Sequence, residues 1–141
     1  METINTNETA SRLRRSVTRL NRRLRQSSLG GISPAQASML ASIDKMDDPS
    51  LGDLAAAEQM KPPSVTRLAQ SMQEAGLIVC FSDPDDRRCT RVRLSPLGRK
   101  EIAAIRRRKT EFLESKLRSL SGVDQRQAEE LATFLERLLE E

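Results

Sequence analysis

From Leu51 to Gly98 a short helix, a tight turn, a second helix and a basic hairpin follow one another without a linker, which leaves few folds open. Ser50 can cap the first helix, which the pattern carries to about Glu58, and Gln59–Lys61 reads as the turn. Pro62 and Pro63 then open the second helix, because proline lacks an N–H that the first helical turn leaves unused anyway. That helix is expected to run to Ala75 and to stop at Gly76. Leu77–Ser82 is rich in β-formers, Asp83-Pro84-Asp85-Asp86 is turn chemistry, and Thr90–Leu94 returns as a strand with Val92 and Leu94 inward and arginines outward.

Helices are expected on both sides of this block. Thr6–Arg25 carries Leu13, Val17, Leu20 and Leu24 at helical spacing, a narrow stripe of the kind that a partner helix covers. Gln26–Gly31 reads as a turn, after which Ser33 caps a helix opened by Pro34 and packed through Ala37, Leu40, Ala41 and Ile43. Pro96 starts a long helix through about Leu120, Ser121-Gly122 breaks it, and Asp124–Glu140 forms a last helix with Leu131, Phe134, Leu135, Leu138 and Leu139 on one side. The class is therefore mostly α (α+β), with a single two-stranded ribbon.

Charge is distributed unevenly. The net charge is +4, yet Arg12, Arg14, Arg15, Arg19, Arg22, Arg23 and Arg25 occupy one stretch with no acid among them. Arg87 to Lys109 is almost as one-sided, with Glu101 its only acid, whereas the chain turns acidic from Asp124. Such polarity suits a polyanionic partner. No apolar run reaches the roughly 18–20 residues that cross a bilayer. Met1–Thr9 is polar and lacks a signal-like stretch, and two cysteines make no disulfide framework, so a cytoplasmic location is expected.

The helix after Pro62 has two sides. Val65, Leu68, Ala69 and Met72 fall within one arc, and Pro63, Ser64, Thr66, Arg67, Gln70 and Ser71 within the other. Apart from Glu74 the outer side has no acid, and its side chains can donate hydrogen bonds. Arginine can reach guanine O6 and N7 in a major groove and glutamine can pair with adenine, so Ser64, Thr66, Arg67 and Gln70 are the expected major-groove contacts. In the hairpin, Arg87 and Arg88 flank an aspartate-held tip and could enter a narrow minor groove, with Asp86 holding Arg88 extended and Arg87 or Arg91 touching phosphate. Ser33, Ser50 and Lys61, at helix starts, are the expected DNA-backbone contacts.

These residues resemble a known family. Asp86-Arg-Arg-Cys-Thr-Arg-Val-Arg-Leu-Ser-Pro-Leu-Gly98 is similar to the wing signature D-x-R-x-x-x-V-x-L-T-x-x-G of the MarR (multiple antibiotic resistance regulator) family, with Ser95 in place of the usual threonine. Pro62–Leu68, Glu74–Ile78 and Ile32–Leu40 match the recognition helix, its exit into the wing and an upstream helix. The resemblance implies a single domain over 1–141. Within it, a winged helix-turn-helix spans 33–95, with a two-stranded β-wing, and N- and C-terminal dimerisation helices cover 6–25 and 97–141. It further implies a homodimer joined through Leu13, Val17, Leu20, Leu131, Phe134, Leu135 and Leu138, a pseudo-palindromic operator with half-sites about 10 bp apart, and repression of its own or neighbouring genes until a small molecule releases it. Without Tyr, Trp or His, the implied effector pocket is plain, and arginines are left to hold an anion.

Some relatives of that kind sense oxidants. Cys80 and Cys89 lie across one hairpin, and Arg87 and Arg88 would favour a Cys89 thiolate. The sensing cysteine of such relatives usually lies in the N-terminal dimer-forming region, where this chain has none, so inert thiols are the preferred reading. No histidine is present for metal ligation or general acid–base work, and there is neither a phosphate-cradling glycine loop nor a nucleophile–base pair, so an enzyme, a metal and a cofactor are not expected. Two other classes compete: an architectural DNA-binding protein of low sequence specificity, and a protein-interaction adaptor on the same fold.

Overall fold

Serine and proline set the helix starts. The computed structural model describes residues 2–140. Its elements are α1 (Thr6–Ser28), α2 (Pro34–Lys45), α3 (Leu51–Glu58), α4 (Pro62–Glu74), β1 (Ile78–Ser82), β2 (Thr90–Leu94), α5 (Pro96–Arg118) and α6 (Gly122–Leu139). Ser33 and Gln36 close a capping box at α2, and Ser50 and Asp53 close one at α3. The free N–H groups of a helix's first turn are thereby paired reciprocally. Pro62 and Pro63 open α4, and Ser121 Oγ accepts from Asp124 N (3.3 Å) at α6.

The exit of α4 is a Schellman turn. Leu77 N donates to Met72 O (2.9 Å) and Gly76 N to Gln73 O (3.0 Å), with Gly76 at φ +77°. A residue bearing Cβ is strained in that left-handed conformation, so glycine ends the helix here. Leu77 belongs to this turn, and β1 therefore begins one residue later than its composition suggests.

Two compact units are formed. One runs from Ser28 to Arg107 and holds α2, α3, α4, the β1–β2 hairpin and the first half of α5. Met39, Leu40, Leu54, Val65, Met72 and Val92 are fully buried in it, joined by Ile43, Ala69, Leu77, Ile78, Leu94 and Ile102. Burying an aliphatic side chain of this size contributes about 1.5–3 kcal/mol. Met39 takes an inward place on α2 that periodicity gave to Ala37, which is only half-buried. Glu58 of α3 accepts from Ser38 Oγ (2.7 Å) and from Ser42 Oγ, fastening α3 to α2. The antiparallel hairpin pairs Ile78 with Leu94, Cys80 with Val92 and Ser82 with Thr90.

The second unit comprises the chain up to Ser27 and from Arg108 onward. In it α1 continues past the expected end at Arg25, with Ser27 Oγ donating back to Leu24 O (2.9 Å). The turn is confined to Leu29–Gly31, where Gly30 and Gly31 supply φ of +54° and +96°. Gln125 Nε2 donates to Leu117 O (3.0 Å) and Leu120 O (3.3 Å), pairing carbonyls at the end of α5 from the start of α6. No residue of α6 is buried, and Val17, Leu20, Leu131, Phe134 and Leu138 are 42–62% exposed.

Candidate nucleic-acid interface

Helix α4 fixes one face and frees the other. Val65, Ala69 and Met72 anchor it in the core, Leu68 and Ser64 are half-buried, and Lys61, Pro63, Thr66, Arg67 and Gln70 are exposed. Thr66 Oγ1 donates to Pro62 O (3.0 Å), so its hydroxyl proton is engaged while its methyl and lone pairs face out. The Arg67 side chain has no hydrogen bond or ion pair among the described residues. A free guanidinium and a free amide on a helix held rigidly from behind can read base edges in a groove.

Asp83 organises the hairpin tip. Its carboxylate is 11% exposed and accepts from Asp85 N (2.7 Å), Asp86 N (3.3 Å) and Arg91 Nε (2.6 Å). Asp86 Oδ1 accepts from the Arg88 backbone N–H (3.1 Å) and from its Nε (3.3 Å), while the Arg88 side chain is 94% exposed. Arg87 is exposed as well. Two exposed guanidiniums thus project from a tip that the Asp83 and Asp86 carboxylates brace.

Arg91 departs from the outward placement read from strand alternation. Besides its bond to Asp83, it donates through Nη1 to Asp48 O (2.9 Å). Its neighbour Arg93 holds Asp48 bidentately (3.0 and 2.7 Å) and lies 4.8 Å from the centroid of Phe81. Val92 N donates to Pro49 O (2.9 Å), and Ser50 bridges Arg91. The segment 48–50 is therefore a clasp that ties the ribbon to the start of α3. Asp48 is its central residue, at φ +43°. Phe81 serves as the seat for Arg93, and Val79 stays half-exposed on the same outer face.

These ties hold several carboxylates below the usual range: Asp48 chiefly through the Arg93 hydrogen bonds, Asp53 through the Ser50 N–H, and Asp83 through the Asp85 N–H and then Arg91. A carboxylate whose pKa falls on folding adds stability that is whole above its unfolded value and is lost as pH drops through the lower folded one. Thermal midpoints are expected to hold on this account down to about pH 4 and to fall below it. Asp48→Asn should flatten that fall; an equally steep fall in the variant would count against the clasp.

Fold and polar face agree with what the chain resembles in known proteins. The MarR family model matches residues 32–90. Over 113 residues, 79% of each chain, the sequence is 33% identical to an uncharacterised HTH-type transcriptional regulator of Mycobacterium bovis. The chain belongs to the MarR family. A crystal structure of a proposed transcriptional regulator from Pseudomonas aeruginosa superposes at a TM-score of 0.80, with 31% identity and 99% of both chains covered. A mutant of the Staphylococcus aureus regulator MepR, solved bound to an oligodeoxyribonucleotide, shares the fold at a TM-score of 0.71 and 21% identity, covering 94% of this chain and 98% of that one.

Membership makes the protein a transcription regulator with a DNA-binding winged helix-turn-helix, and not an enzyme. The MarR wing signature acquires a physical reading here. Ser95, in the threonine position, donates from Oγ to Gly76 O (2.5 Å) and accepts from Gly98 N (3.0 Å), capping α5 and fastening it to the end of α4. Ser33 and Ser50 spend their side-chain acceptors on helix caps. The cysteines do not face each other: Cys80 pairs with Val92, and Cys89 N–H and C=O close the tip at Asp86 and Asp83. Three residues of ribbon separate their levels, about 10 Å, beyond the reach of a disulfide. Burial also pushes the Cys80 thiol up, away from thiolate chemistry. Sequence reasoning missed Asp48, whose only signal was an acid placed before the Pro49-Ser50 helix start.

Proposed function

We propose that the protein is a homodimeric, sequence-specific repressor of its own or neighbouring genes, acting on a pseudo-palindromic operator in duplex DNA and released by a small ligand. The observation that carries this reading is the exposed polar face of α4, where the unpaired donors of Arg67 and Gln70 stand beside Thr66, on the same compact unit as the exposed Arg87 and Arg88 of the wing. Ser64, Thr66, Arg67 and Gln70 read or flank bases in the major groove. Arg88, oriented by Asp86, enters the minor groove, and Arg87, Lys61, Ser33 and Ser50 touch phosphate. Arg91, turned inward to Asp83 and Asp48, positions the wing. A polar cleft of about 290 Å³ lined by Asp44, Asp47, Asp48, Arg93 and Arg99 has no aromatic wall, which favours a charged effector over a stacked aromatic one.

Fluorescence-anisotropy titrations of the protein's own upstream DNA against scrambled duplex test the reading. A preference of about a thousandfold or more at matched salt is expected. Equal binding to both, across upstream fragments that span the neighbouring genes, would replace it with an architectural role. No binding by the folded protein would replace it with that of an adaptor. Arg67→Ala should cost about 1–3 kcal/mol on the cognate operator and relax specificity at one base pair; an equal loss on random DNA would remove its base-reading role. Arg88→Ala should weaken binding mainly where the operator flanks are A·T-rich, because the narrow groove there concentrates negative potential. An effect independent of flank sequence would refute the minor-groove placement.

A further inference from the structure

Helix α1 carries a stripe of arginines that the winged helix-turn-helix does not use. At about 100° per residue, Arg12, Arg15, Arg19, Arg22 and Arg23 share an arc of roughly 100°. The apolar stripe of Leu13, Val17, Leu20 and Leu24 is centred roughly 140° away, so whatever covers those leucines leaves the arginines outside. All five are exposed, and none has an ion pair or hydrogen bond from its side chain among the described residues. The only acid of the helix is Glu8, in its first turn. From Arg12 to Arg22 the helix rises about 15 Å, the length of roughly four base pairs of duplex at 3.4 Å each.

Five unpaired like charges on one face repel one another, and a polyanion removes that cost. The stripe contains arginine and no lysine, and the guanidinium fork matches phosphate oxygens bidentately. An anionic bilayer fits less well, because α1 has no aromatic residue to seat at a headgroup boundary. We infer that the arginine face of α1 is a second, sequence-independent binding strip for the phosphate backbone of duplex DNA, additional to the recognition helix and wing. Its ligand is either the flank of the operator duplex or a separate segment of DNA. The strip accounts for affinity and salt dependence, and α4 accounts for preference, so the two assignments fail separately.

The test replaces Arg12, Arg15, Arg19 and Arg22 with glutamine, which keeps helix propensity, and with lysine as a charge-retaining control. Salt series are run on the upstream and scrambled duplexes. The glutamine variant is expected to lower the slope of log affinity against log salt by about 0.9 for each phosphate that the strip no longer neutralises. It should also weaken binding to both duplexes alike and leave their ratio intact. Lysine at the same positions should restore the slope. An effect that grows from a duplex of about 20 bp, two turns, to one three times longer assigns the strip to flanking DNA. Capture of a second labelled duplex by an immobilised one, abolished in the glutamine variant, assigns it to a separate segment. An unchanged slope on every duplex overturns the proposal, as does a weakening traced by sedimentation to a broken dimer or binding that moves to anionic vesicles instead. Arg15→Gln with Arg22→Gln gives the same reading at half the charge change, should the fourfold replacement disturb folding. If the slope falls but the native protein shows no preference for upstream DNA, the strip stands and the operator reading falls.

Discussion

Gly98→Ala is expected to lower stability by about 3 kcal/mol, the upper end of the usual cost of overpacking, and the thermal midpoint by roughly 10 °C for a chain of this size. A Cβ at Gly98 would lie 2.1 Å from Leu77 O and 3.1 Å from Leu77 C, both backbone atoms, and 3.4 Å from Leu94 Cδ2. Leu77 O cannot give way cheaply, because it accepts the Ser95 N–H (3.0 Å). Ser95 in turn is bonded to Gly76 O and to Gly98 N. Exit of α4, end of β2 and entry of α5 thus meet at one joint, and a single methyl must part at least two of them. Gly122→Ala is the control. It too is a helical glycine, but nothing lies within 4 Å of an added Cβ, so it should be neutral or slightly stabilising. Thermal unfolding of both variants decides the point. Equal midpoints for Gly98→Ala and the native protein would mean that the glycine of the wing signature is not there for close approach.

That joint also marks how far the sequence could be read. Helix starts were legible because their chemistry is local: Ser33 and Ser50 each accept the backbone N–H three residues on, and both caps formed where serine, proline and periodicity placed them. The hairpin was legible for the same reason, since the Asp83–Asp86 tip and the Val92–Leu94 alternation are short-range signals. Contacts between distant residues were not. Asp48 and Arg93 are 45 residues apart, and neither periodicity nor propensity carries information at that separation. Arg91 and Arg93 looked alike on an alternating strand, yet Asp83 and Asp48 draw Arg91 inward while Arg93 lies over Phe81. The exposed face of α4 was legible by subtraction: once Val65, Ala69 and Met72 are assigned to the core, Thr66, Arg67 and Gln70 remain outside. The extension of α1 through Ser28 was missed because two serines shortly before a glycine pair favour a turn, and packing around buried Ser28 outweighs that preference.

Replacing Leu131 and Leu138 with glutamate is expected to convert a dimer to a monomer and to weaken operator binding by about a hundredfold or more, the drop that follows when two linked half-site contacts become independent. The reasoning starts from what α6 leaves uncovered. Leu131, Phe134 and Leu138 are 48%, 43% and 62% exposed, on a helix with no buried residue. Val17 and Leu20 of α1 are likewise 52% and 42% exposed. A monomeric chain rarely shows so much aliphatic surface on regular helices unless a partner covers it. Glutamate on such a face costs little in a monomer, where the side chain stays hydrated. In a dimer it would bury a charge without a counter-ion, which costs several kcal/mol. The variant should therefore keep its helicity and most of its thermal stability, in contrast to Gly98→Ala, while its sedimentation halves in mass. It should also keep weak, salt-dependent binding to random DNA, because α4, the wing and the α1 arginines are untouched. A native protein that sediments as a monomer, or a glutamate variant that still dimerises, would remove the dimer from the reading. Retained dimerisation with abolished operator binding would instead place these leucines in the positioning of the two recognition helices.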